Sequence, residues 1–219
     1  MPDAPPSGEA DDSDPEVRKV QIEKTLQKFG SDSAGQIGDA LSKIYREGIK
    51  VRMLQTDIIP TTLLFQEMGD YDLPIVATYS RLYGLLESSI LVLSPEKDAF
   101  ELVSMLKEQS YTRESMYMAR SALKELHNII SSICLNQLAN MLNITLVPTA
   151  YLFIVDTLGL ILDFKFAGTD KSIEYTLMIG MEIGEENKYT LCYFFMVLDK
   201  ETLNVLLDAF AEEHARTAE

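Results

Sequence analysis

The sequence contains few of the residues that mark several common classes of protein. Its 219 residues include no tryptophan, two histidines and two cysteines, so neither a histidine-rich metal site nor a disulfide-stapled secreted scaffold is indicated. Cys134 and Cys192 both lie in apolar runs, and we expect them to be reduced core residues. A glycine-rich loop of the kind that cradles phosphate groups is also missing from the sequence.

Positive charge is scarce as well. The chain has 19 Lys and Arg against 34 Asp and Glu, which gives a formal net charge of -15. Such a surface repels phosphate backbones and anionic lipids, so neither nucleic acid nor a membrane is an expected partner. Residues 1–15 are acidic, contain no Lys or Arg and have almost no large apolar side chain. We therefore predict a disordered acidic tail there, followed by a single domain over residues 16–219.

No apolar run is long enough to cross a bilayer. The most apolar segment, residues 149–166, is interrupted by Asp156 and Asp163, and a spanning helix needs about 20 apolar residues. The start of the chain lacks a basic region followed by an apolar stretch, which is the pattern of a secretory signal. We expect a cytoplasmic protein.

Apolar periodicity predicts helices and strands whose order repeats once along the chain. Each half begins with a helix and continues with a strand that ends at a proline, a connecting segment and a pair of strands. A further helix closes each half. The first half covers about residues 30–108 and the second about residues 112–215. We therefore predict an α+β fold in which two pseudo-symmetric αβ repeats share one continuous, mostly antiparallel sheet with long helices packed on it.

The individual elements follow from the same patterns. Residues 15–29 and 34–46 predict two helices, with Gly30 ending the first. Residues 51–59 predict a strand closed by Pro60, whereas residues 151–168 fit a helix and a strand equally well. The other predicted elements are a short helix at 61–68, strands at 73–84 and 85–94, helices at 95–109, 116–143 and 200–214, a short strand at 144–148 and a strand hairpin at 172–199.

The most informative stretch runs from Ser121 to Pro148 and is typical of a long helix that leads into a short strand. Glu125 and Asn128 are three residues apart, which places a carboxylate and a carboxamide on one helix face. Ser121 lies one turn before Glu125 and extends this polar face. An apolar stripe that would bury the helix lies away from it, formed by Leu126, Ile129, Ile130, Ile133, Leu138, Met141 and Leu142.

This polar face is not needed to bury the helix, so it is the candidate functional surface. An exposed Glu and Asn at this spacing also occur by chance in many helices, and the pair alone is weak evidence for a site. Ser121 is more typical of a helix cap or a solvated position than of a chemical group. His127 lies between the pair in sequence but on another side of the helix, and we interpret it as a surface histidine.

With these residues identified, the chain resembles the CheC/CheX/FliY family of chemotaxis response-regulator phosphatases. That family carries an Asp or Ser, a Glu four residues later, an Asn three residues further on, and a Pro beyond the helix. Here these residues are Ser121, Glu125, Asn128 and Pro148, with the proline about one turn earlier than is usual. The resemblance covers residues 28–212 and is most specific over this helix.

CheC-like members of the family carry two copies of the helix, one in each half. Residues 28–45 resemble the first copy through their glycines and small residues. Lys28 and Ser31 stand where the family has Glu and Asn, so the resemblance implies a degenerate first site and an intact second one.

The resemblance implies that the chain hydrolyses the aspartyl phosphate of a phosphorylated CheY-like response regulator. Asn128 would position the attacking water, and Glu125 would form a salt bridge with a lysine of the regulator. Mg²⁺ and most of the electrostatic stabilisation would come from the regulator, so no cofactor or metal is expected on this chain. CheD, a deamidase that family members bind, is a further candidate partner.

Two other functions stay open. Some flagellar motor switch proteins share the fold that the resemblance implies but lack the Glu/Asn pair, so the chain could be a non-enzymatic receiver-binding or switch-like module. It could also be a CheD-binding regulator, which is compatible with phosphatase activity. The presence of both Glu125 and Asn128 favours the phosphatase, and the two-repeat length favours a monomer.

Overall fold

The computed structural model describes residues 15–45, 47–83, 88–108, 115–166, 173–185 and 187–218. The predicted acidic tail therefore lies outside the described residues, apart from Pro15, which begins the first helix.

From residue 50 onward, the helices and strands follow the order that the periodicity predicts. The helices are α1 (Pro15–Ile44), α2 (Leu64–Met68, preceded by the 3₁₀ turn Thr61–Leu63), α3 (Glu96–Lys107), α4 (Met116–Leu142), α5 (Leu158–Phe166) and α6 (Lys200–Ala218). The strands are β1 (Lys50–Pro60), β2 (Pro74–Tyr83), β3 (Ser88–Pro95), β4 (Val147–Pro148), β5 (Leu152–Thr157), β6 (Ile173–Glu185) and β7 (Lys188–Asp199).

The strands within the described residues belong to one seven-stranded sheet with the order β1-β6-β7-β3-β2-β4, and β5 also pairs with β2. Every pairing is antiparallel. The first half contributes α1-β1-α2-β2-β3-α3, and the second contributes α4-β4-β5-α5-β6-β7-α6, in which the two-residue β4 has no counterpart in the first half. The strands of the two halves correspond in pairs: β1 to β5, β2 to β6 and β3 to β7. When each strand in the order β1-β6-β7-β3-β2-β5 is replaced by its counterpart, the same order results in reverse. The predicted α+β fold with two repeats in one sheet is confirmed.

The two faces of the sheet are covered by different helices because side chains alternate along each strand. Ile90 and Val92 of β3 join a large core with α1, α3, α4 and α6, whereas Leu91 and Leu93 face the other way, towards α2 and α5. The long helices therefore lie together on one face. None of the described helices is long and apolar enough to cross a membrane.

The prediction of two separate helices before residue 46 is wrong, because α1 runs unbroken through Gly30. Gly30 is buried, and a Cβ added to it would lie 1.7 Å from the Thr56 Oγ1 atom of β1. The glycine is therefore required by the close approach of the helix to the sheet, not by a helix end.

The segment that fitted helix and strand equally well contains both. Residues up to Thr157 form β5, which pairs with β2, and α5 begins at Leu158. Gly159 lies against the ring of Tyr71, where an added Cβ would come within 2.0 Å of a ring carbon. The strand predicted at 144–148 is shorter than expected, since only Val147 and Pro148 pair with β2.

The two glycines of α1 provide a matched test of this packing. We expect Gly30→Ala to destabilise the protein by about 1–3 kcal/mol, because the new methyl group must displace Thr56 or the helix. Gly35 is exposed and has open space around it, so Gly35→Ala should stabilise by about 0.5–1 kcal/mol through helix propensity alone. Urea unfolding of the two variants measures both effects, and equal changes in the unfolding midpoint would contradict this account of Gly30.

Candidate functional site

The candidate site lies on the exposed face of α4. Ser121, Glu125 and Asn128 are all exposed and follow one another at spacings of four and three residues, so they form a single polar stripe. The opposite face of the helix is buried in the core through Leu126, Ile130, Cys134 and Leu138, among others. The Glu/Asn pair is therefore exposed to solvent on a helix whose opposite face is fixed by packing in the core.

Glu125 already has a cationic partner on its own chain. Its Oε2 atom lies 3.4 Å from the Nζ atom of Lys107, in the last turn of α3. The same Nζ atom lies 4.6 Å from the centre of the Tyr45 ring, just beyond the end of α1. The ends of α1 and α3 therefore meet α4 at the candidate carboxylate.

The hydroxyl of Tyr45 completes this cluster. Its oxygen is buried and makes no hydrogen bond of good geometry with the described residues. Burial raises the pKa of Tyr45, and the nearby negative charge of Glu125 raises it further. The phenol is therefore neutral, and it presents a proton donor on the Glu125 side of the cluster.

Unlike the carboxylate of Glu125, the side chain of Asn128 is not engaged by another described residue. Its exposed carboxamide has no hydrogen-bond partner among the residues that the structure describes, whereas its backbone carbonyl lies 3.3 Å from the Ser131 hydroxyl. That hydroxyl is also 3.0 Å from the Tyr151 hydroxyl, so the segment that follows Pro148 is held against α4. The carboxamide can thus donate and accept hydrogen bonds to an incoming group at the same time.

The interpretation of His127 as a surface histidine is wrong. Its side chain is fully buried beneath the site, with Nδ1 3.2 Å from the Thr78 Oγ1 atom of β2. The Nε2 atom is buried and has no partner in the described part of the chain. Burial lowers the pKa of His127 to about 3, so the ring is neutral at physiological pH and supports α4 from below.

The structure places Lys28 and Ser31 on the exposed side of α1. They precede Glu125 and Asn128 by the same number of residues, since 125 − 28 = 97 and 128 − 31 = 97. At this offset each buried residue of α1 corresponds to a buried residue of α4: Thr25, Leu26, Phe29, Gly30, Ser33, Ala34, Ile37 and Leu41 match Ala122, Leu123, Leu126, His127, Ile130, Ser131, Cys134 and Leu138. The two helices therefore present equivalent faces, and Lys28 and Ser31 stand where the second helix has its acid and amide.

Sequence reasoning missed Lys107 and Tyr45. Neither residue belongs to the pattern around Glu125, and they lie 18 and 80 residues from it in the chain (125 − 107 and 125 − 45). Only the packing of the ends of α1 and α3 beside α4 brings them together. No group of three or more His, Cys, Asp or Glu side chains suited to a metal ion is found within the described ranges.

Comparison with known proteins extends the likeness over nearly the whole chain. No family model matches the sequence. The CheY-P phosphatase CheC of Bacillus subtilis (strain 168) is 20% identical over 199 residues, which cover 88% of this chain and 95% of that protein. This similarity supports the assignment to the CheC/CheX/FliY family that the motif predicts.

Solved structures share the fold. The FliY structure from Thermotoga maritima has a TM-score of 0.63 at 15% identity and covers 91% of this chain and 98% of its own. The FliM middle domain from H. pylori has a TM-score of 0.59 at 12% identity and covers 87% and 98%. At these identities the structural likeness shows a common fold and leaves the activity to be argued from the site.

The neutral, buried His127 has a measurable consequence for stability. The unfolded chain takes up a proton on this residue below pH 6.5, whereas the folded chain does so only near pH 3. Folding therefore excludes a proton between these values, and the contribution of His127 to stability is lost progressively as the pH falls below about 6.5.

We expect the free energy of unfolding of the wild type to fall by about 2 kcal/mol more than that of His127→Gln between pH 7 and pH 5. Urea unfolding of both proteins across this range measures the difference in slope, which is independent of any loss that the substitution causes at pH 7. Parallel pH profiles for the two proteins would show that His127 does not titrate differently in the folded state.

Proposed function

We propose that this chain, as a relative of CheC, is a phosphatase for the aspartyl phosphate of a CheY-like receiver domain. In the reaction, a water oxygen attacks phosphorus in line with the bond to the aspartyl oxygen. That P–O bond breaks, the aspartate leaves as a carboxylate, and the water becomes part of inorganic phosphate. The phosphatase needs no nucleophile of its own, and none of its described residues has to change its covalent state.

Asn128 is the residue proposed to position the water. Its carboxamide oxygen can accept a hydrogen bond from the water while its NH₂ group donates one to a phosphoryl oxygen. Fixing the water between the two partners removes part of the entropic barrier to the attack. The observation that carries this proposal is the exposed carboxamide of Asn128, without a partner in the described chain, on a helix whose other face is packed in the core.

Glu125 is the proposed docking residue. A carboxylate at this position attracts a cationic side chain of the receiver and sets the distance between Asn128 and the phosphoryl group. We place the metal and the main electrostatic stabilisation on the receiver, since phosphoryl transfer requires charge neutralisation that the acidic surface of this chain does not supply.

A non-enzymatic interaction module is the second candidate. It is favoured by two observations: the FliM middle domain matches the fold about as well as FliY does, and the first helix carries Lys28 and Ser31 in place of an acid and an amide. Binding of CheD is a third proposal and is compatible with either function.

The phosphatase proposal predicts a specific hierarchy of variants. We expect the wild type to accelerate the loss of phosphate from its cognate receiver, and Asn128→Ala to lower kcat about a hundredfold because the water is no longer held. Glu125→Ala should chiefly raise KM, because it removes a docking contact. Time courses of the phosphorylated receiver at several receiver concentrations separate the two constants.

The degenerate first site on α1 supplies the matched control for these variants. Lys28→Ala and Ser31→Ala occupy the equivalent exposed positions on α1 and should leave kcat and KM close to the wild-type values. A wild type that binds the receiver without changing the decay would favour the interaction module and would leave Glu125 and Asn128 without a catalytic role.

A further inference from the structure

The cluster around Glu125 has a consequence for docking that the Glu/Asn pattern does not predict. If Glu125 receives a cation from the receiver, it must first release the one that it already holds. The Glu125 carboxylate and the Lys107 ammonium are both partly exposed, at 49% and 36% of their side chains. The incoming group can therefore reach the carboxylate without opening the core.

Lys107 does not have to leave the cluster when Glu125 turns outward. Its Nζ atom also lies over the ring of Tyr45, and the face of an aromatic ring attracts an ammonium group. The position of Lys107 in the last turn of α3 adds favourable interaction with the carboxyl end of that helix. The Lys107 ammonium can therefore stay over the Tyr45 ring in both the free protein and the complex, and only the Glu125 carboxylate has to move.

We infer that Lys107 is an internal counter-ion that competes with the receiver for Glu125 and so sets the affinity of docking. This inference rests on the proposed function. Lys107 acts on the affinity of docking and takes no part in the chemistry, because the water is held by Asn128. In the free protein Glu125 is paired inward with Lys107, and in the complex it is paired outward with the cation of the receiver.

The competition between Lys107 and the receiver predicts the direction and the size of the change in affinity when Lys107 is removed. Removing Lys107 leaves Glu125 without its cationic partner on this chain, so the receiver no longer has to displace an ammonium group. Because a partly exposed ion pair is weak, the gain is modest, and we expect Lys107→Met to bind the receiver about two- to fivefold more tightly. Methionine keeps an unbranched side chain that can still cover the Tyr45 ring.

The experiment measures binding of the beryllofluoride-activated receiver together with kcat and KM for the phosphorylated receiver. Lys107→Met should lower the Kd and the KM by the same factor and leave kcat unchanged, whereas Lys107→Arg, which keeps the charge, should resemble the wild type. Lys97→Met is the matched control, since Lys97 is an exposed lysine in the first turn of the same helix and its loss changes the net charge equally.

A double substitution separates competition from a general charge effect. In a Glu125→Gln background the receiver has no carboxylate to gain, so Lys107→Met should no longer tighten binding. An unchanged or raised Kd for Lys107→Met beside an active wild type would overturn the inference and leave the proposed function intact, and so would tightening that persists in the Glu125→Gln background. A wild type that neither binds nor dephosphorylates the receiver would overturn both.

Discussion

The exchange of outer strands between the two halves is the constraint on which the rest of the structure depends. β1 belongs to the first half but is hydrogen-bonded to β6, and β5 belongs to the second half but is hydrogen-bonded to β2. The backbone groups of these strands find their partners only when the halves come together. As a result, α1 and α4 pack in a single core on the same side of a single sheet, and α4 gains a rigid base that its own half does not provide.

α1 and α4 occupy equivalent places in the two halves, but they differ in the side chains at equivalent positions. Beneath α1, the missing side chain of Gly30 allows the helix to touch Thr56, whereas at the corresponding position of α4 the imidazole of His127 fills the space and contacts Thr78. Their outer faces differ as well, because α1 exposes Lys28 where α4 exposes Glu125. The symmetry of the backbone is therefore not matched by the exposed side chains, and of these two helices only α4 carries an acid and an amide at the two equivalent positions.

The fold and the polar stripe could be predicted from the sequence because both depend on local periodicity. Short runs rich in apolar residues identify β2, β3, β6 and β7, and a three-residue spacing is enough to place Glu125 and Asn128 on one face. What could not be predicted depends on contacts between distant segments. Gly30 has the local signature of a helix end, but its close approach to Thr56 decides its role; the burial of His127 depends in the same way on how closely α4 lies to β2.

The pairing of Glu125 with a cation of the receiver also resolves an electrostatic difficulty in the proposed mechanism. A bare carboxylate three residues from Asn128 would repel the phosphoryl group that the amide has to reach, and at short range such repulsion is substantial even near a surface. In the proposed complex a cation of the receiver lies beside Glu125, so the negative charge of the carboxylate is balanced when the phosphoryl group reaches Asn128. The carboxylate can then direct docking without opposing the approach of the phosphoryl group, which explains why an acidic residue is compatible with this position at all.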